Sequence, residues 1–80
     1  MIPLYGFLEG DTIGLLVLGR AEDTAADLCD KLQAAAAVRV APLRNPVVVY
    51  RGDPVPAQQT VATLGIGALE RFDVVEGRLR

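Results

Sequence analysis

The stretch from Thr24 to Ala36 most constrains this chain, because it carries its one long run of apolar residues at helical spacing. Ala25, Leu28, Leu32 and Ala35 or Ala36 recur three and four residues apart, and Asp23, Asp27, Asp30, Lys31 and Ala34 fall on the opposite side. Thr24 followed three residues later by Asp27 resembles a capping box, with Asp in place of Glu or Gln. Glu22, Asp23 and Asp27 crowd the first turns and Arg39 lies just past the last, matching the helix dipole. One helix covers one face of one sheet, so the remaining residues must build that sheet.

Tyr5-Gly-Phe-Leu8 and Thr12-Ile-Gly-Leu-Leu-Val-Leu18 flank Glu9-Gly10-Asp11, which predicts a hairpin whose short loop uses Gly10 for a positive φ. Pro42 and Pro46 bracket a loop after the helix. A third strand is expected over Val47–Arg51, ended by Gly52-Asp53-Pro54, with Pro54-Val-Pro56 as an extended connection. Thr60 caps a short helix over about 61–64 that Gly65 stops, and a last strand follows at Arg71–Glu76, with Phe72 and Val74 on one face. This order predicts one α+β domain over 1–80: a mixed four- to five-stranded sheet around one main helix at about 24–36, the first and last strands parallel at its centre. That is the β-grasp arrangement.

The residues that would carry catalysis are largely missing. There is no His, no Ser and no Trp, and Cys29 is the single cysteine. Cys29 adjoins the inner stripe of the helix without a base, so it reads as a buried structural thiol rather than a nucleophile. It also excludes an internal disulfide framework and fits a reducing, cytoplasmic setting. The acids Asp27 and Asp30 lie on a solvated helix face, and without His or a second Cys no metal or cofactor site is expected. Gly10, Gly65 and Gly67 read as turn residues, since none opens a long helix with the Lys and Ser/Thr of a phosphate loop. A net charge of −2 and no basic run argue against nucleic-acid binding, and Arg39, Arg44 and Arg51 are read as surface salt-link formers. No apolar stretch approaches the roughly 20 residues of a membrane helix, and the amino terminus lacks the basic region of a secretory signal.

Apolar residues are in excess, at 51% of the chain. A sheet covered on one face should alternate with polar residues on the other, yet Leu4–Leu8, Ile13–Leu18 and Val47–Tyr50 are apolar in both phases. With Ile13, Leu15 and Val17 turned to the helix, Leu16 and Leu18 turn away. An outward patch of Leu4, Leu8, Leu16, Leu18 and Val48 is therefore expected, larger than the few hundred Å² usual on a monomer, and such a patch marks a partner-docking face.

Glu9-Gly-Asp-Thr-Ile-Gly-Leu-Leu-Val17, the helix start at Asp23-Thr24 and Thr60-Val-Ala-Thr-Leu-Gly-Ile66 leading to Phe72-Asp-Val-Val75 resemble the ubiquitin pattern. Arg39-Val-Ala-Pro42 and Thr60–Val75 are similar, more closely, to the small B (γ) subunit of toluene monooxygenase systems. That resemblance implies a non-catalytic chain that docks on a larger protein, the α subunit of a bacterial diiron hydroxylase, which holds the iron; it implies no catalytic residue, cofactor or metal here. Two alternatives share the fold: a freestanding ubiquitin-like adaptor of a bacterial secretion assembly, and a sulfur carrier or protein modifier. The modifier chemistry needs a terminal Gly-Gly, where this sequence reads Gly77-Arg-Leu-Arg80.

Overall fold

The computed structural model describes residues 1–77, and the carboxy-terminal reading on Arg78-Leu79-Arg80 lies outside them. The long helix, α1, spans Ala25–Ala36. Its capping box is complete: the Thr24 hydroxyl accepts from the Asp27 N–H at 3.2 Å, and the Asp27 carboxylate accepts from the Thr24 N–H at 2.9 Å. Ala25, Leu28, Cys29, Leu32 and Ala36 form its buried stripe, so the choice between Ala35 and Ala36 falls to Ala36.

Five strands make the sheet: β1 (Ile2–Leu8), β2 (Gly14–Gly19), β3 (Pro46–Tyr50), β4 (Asp53–Val55) and β5 (Arg71–Glu76). Their order is β2-β1-β5-β3-β4, with β1 parallel to β5 at the centre and the other pairs antiparallel. A short helix, α2 (Val61–Leu64), is capped by the Thr60 hydroxyl and stopped by Gly65 at φ 76°, as its sequence predicts.

The core lies between α1 and the inner face of the sheet. Phe72 and Val74 of β5 stand at its centre, with Leu4 and Leu8 of β1, Val17 of β2 and Val48 and Tyr50 of β3 around them. Gly6 sets the phase of β1: a Cβ there would lie 2.8 Å from Leu32 Cδ1 and 2.9 Å from Phe72 Cζ, so the strand approaches α1 only because this position is bare.

Two expectations about strands are corrected. Pro54 does not end the sheet: Arg51 (φ 53°) and Gly52 (φ 83°) form a two-residue turn with positive φ at both positions, which folds Asp53–Val55 back onto β3 as β4. Ile13 does not face the helix. Asp11 accepts the Thr12 N–H at 2.8 Å, and its carboxylate also takes the Arg39 guanidinium at 2.8 and 3.3 Å; β2 then starts at Gly14, leaving Ile13 exposed.

Candidate functional site: the outer face of the sheet

Strand alternation sorts the expected docking residues into two groups. Leu4 (0% exposed), Leu8 (3%) and Val48 (1%) belong to the core and cannot meet a partner without unfolding, which corrects their assignment to the outward patch. All three share the inner phase with Gly6, Phe72 or Val74 across the register. Leu16 (57% exposed) and Leu18 (50%) do point away from α1.

Register then supplies the true neighbours of Leu16 and Leu18. Tyr5 lies opposite Leu16, Pro3 opposite Leu18 and Phe7 opposite Gly14. On the far side of β1, Arg71 stands beside Tyr5 and Asp73 beside Phe7, and Val75, Val47 and Val49 continue the face across β5 and β3. The Phe7 ring leans over Gly14, where a Cβ would come within 2.5 Å of it. Arg71 lies 4.0 Å above the centroid of that ring while Asp73 holds its guanidinium at 2.7 and 3.1 Å. The face is therefore apolar toward β2, with Tyr5 43% exposed, and carries one paired charge beyond Phe7.

Loop 65–70 borders this face at β1. Leu69 is exposed in the left-handed region at φ 63°, a conformation that costs a leucine about 1 kcal/mol. It is held there because its N–H donates to the Pro3 carbonyl at 2.6 Å, while Glu70 locks the other side of the loop. The Glu70 carboxylate accepts from the Gly67 N–H (2.7 Å), the Tyr50 hydroxyl (2.7 Å) and Arg51 (3.1 Å), and these donors, Gly67 first, hold its pKa down to about 2. This knot ties the β3–β4 turn to the start of β5. Neither Glu70 nor Leu69 stood out in the sequence; a non-glycine in left-handed backbone leaves no residue-type signal.

The remaining candidates fall into structural roles. Cys29 is buried against β3, and desolvation, then Asp30, pushes its thiol up to about 11, which keeps it protonated and unreactive near neutrality. Arg39 and Arg51 form the expected ion pairs, with Asp11 and Glu70, whereas Arg44 makes no ion pair among the described residues and only its backbone N–H donates to Glu76, at 2.9 Å. Asp27 is engaged in the helix cap. Among the described residues no three His, Cys, Asp or Glu side chains gather as metal ligands, and no helix is long and apolar enough to cross a membrane.

Comparison with known proteins places this geometry in a lineage. A chain in the structure "Toluene 4 monooxygenase HD Complex with Inhibitor 4-Bromobenzoate" superposes with a TM-score of 0.88 at 25% identity, covering 95% of this chain and 98% of that one. Ubiquitin from Caldiarchaeum subterraneum superposes at 0.76 with 15% identity, covering 98% and 95%. A chain of the ATBAG1 complex with HSP70 does so at 0.78 with 10% identity, covering 99% of this chain and 42% of that one. The last two show the ubiquitin-like fold alone. No curated protein sequence matches. The family described as toluene-4-monooxygenase system protein B (TmoB) matches residues 1–75, nearly the full chain, and the protein belongs to that family.

Proposed function

We propose that this chain is a non-catalytic subunit of a bacterial toluene-type diiron hydroxylase and docks on its larger subunit through the outer face of the sheet. Membership of the TmoB family carries the reading, and the likeness to a chain of a toluene 4-monooxygenase complex supports it. The outer face supplies the contact surface. Tyr5, Leu16 and Leu18 are large, apolar and exposed together on adjacent strands, and cover by a partner removes them from water. The charged pair Arg71–Asp73 stands on the central strand β5, between the apolar area of β1 and β2 and the valines of β3, and its charges neutralise each other there. In this reading the oxygen chemistry belongs to the iron-bearing partner, and this chain contributes shape and stability to the complex.

Co-expression with the large hydroxylase subunit tests it. A tag on that subunit is expected to retain this chain in a fixed ratio through gel filtration. Elution of the chain as a free monomer, with the large subunit folded and alone, overturns the reading.

A further inference from the structure

The two edges of the sheet are built differently. β4 is three residues long and contains Asp53 and Pro54, which discourage further pairing. β2, Gly14-Leu-Leu-Val-Leu-Gly19, carries no charge and no proline along six residues.

The direction of the β2 backbone groups follows from bonds made by its neighbour. The Pro3 carbonyl accepts from the Leu69 N–H at 2.6 Å and the Tyr5 N–H donates to the Glu70 carbonyl at 2.9 Å, so Pro3, Tyr5 and, by alternation, Phe7 turn their backbone groups to the β5 side. Their partners across the β1–β2 register are Leu18, Leu16 and Gly14. These are the non-hydrogen-bonded pairs of the antiparallel ladder, so Gly14, Leu16 and Leu18 turn their own N–H and C=O groups to the open edge. One group there is taken: Lys31 Nζ, held by Asp23 at 2.6 Å, donates to the Leu18 carbonyl at 2.9 Å. The others find no protein partner among the described residues. The residues with free backbone groups are thus the ones whose side chains, Leu16 and Leu18, stand exposed on the outer face.

We propose that an extended apolar segment of the larger subunit adds to β2 as a further strand. It bonds to the N–H and C=O of Gly14 and Leu16 and to the N–H of Leu18, and lays alternate side chains beside Leu16 and Leu18. The Lys31–Asp23 pair closes the ladder at Leu18. A second copy of this chain fits less well: antiparallel pairing about Leu16 would set Leu18 of each copy against Gly14 of the other and lose the Lys31-held carbonyl twice. The inference rests on the docking reading above and specifies how the contact is made.

Amide hydrogen exchange on the chain alone and in complex with the large hydroxylase subunit tests it. The Leu16 and Leu18 amides are expected to exchange freely in the isolated chain and at least roughly tenfold more slowly in the complex. Leu16→Pro deletes an edge donor without removing a bond inside the chain. It is expected to weaken the complex roughly tenfold more than Leu16→Ala, which removes the side chain and keeps the N–H. A complex that forms while both amides exchange as in the free chain overturns the added strand and leaves the docking reading standing. Absence of any complex overturns both. Protection that grows with the concentration of this chain alone assigns the edge to a second copy and also overturns the proposal.

Discussion

At the scale of single residues, neighbours in sequence separate fold from function. Leu15 packs against the core and Leu16 is exposed on the opposite face. Leu15→Asp places an unpaired charge at the core and is expected to cost more than about 2 kcal/mol in chemical denaturation, while Leu16→Asp leaves the unfolding free energy within about 0.5 kcal/mol of the parent and abolishes retention by the large subunit. Equal destabilisation by both changes would show the face assignment to be wrong. Gly6→Ala adds a methyl group against Leu32 and Phe72, both fully buried, and overpacking of this kind is expected to lower stability by about 1–3 kcal/mol. Gly6 also explains what was hard to read in the sequence. Leu4–Leu8 and Val47–Val49 are apolar in both phases, so hydrophobicity alone could not say that Leu4, Leu8 and Val48 face inward. The bare residue in β1 was the available signal, because a glycine inside an apolar strand marks close approach by a neighbour.

Among the elements, those with chemical punctuation were fully legible: Thr24, Asp27, Thr60 and Gly65 carry the caps, and both helices start and stop as expected. The β3–β4 hairpin was not, because its turn places Arg51 in left-handed backbone, a choice sustained by contacts distant in sequence. Arg51 pairs with Glu70 and lies 5.2 Å from the Tyr50 ring centroid, so the turn is held from the start of β5. This gives the hairpin a pH signature. Glu70 has a folded pKa near 2, below its ordinary 4.5, so its contribution is complete above about pH 4.5 and is lost as pH falls from there toward 2. Asp11 and Asp23, lowered by Arg39 and Lys31, act in the same direction. Thermal melts between pH 6 and pH 2.5 are therefore expected to fall steadily, and Glu70→Gln to make that fall shallower. An unchanged slope in the Gln variant would remove Glu70 from this role.

For the molecule as a whole, Cys29 offers a probe of integrity. It is 3% exposed with a raised pKa, so a thiol reagent at neutral pH is expected to label it only through opening of the α1–sheet core, at a rate that tracks denaturant. Rapid labelling in buffer alone would show that α1 lifts from the sheet without global unfolding. The central parallel pair has a different kind of consequence. β1 is the first strand, yet one of its two neighbours is β5, which begins at Arg71, and Phe72 at the middle of the core arrives with it. The closing contacts thus span almost the entire chain, a topology that folds slowly for its size. A partly folded form in which β5 has not yet docked exposes the uncovered edge of β1 and lacks the residue around which the core assembles. The opportunity for β1 or β2 to pair with a wrong strand is greatest while β5 is undocked.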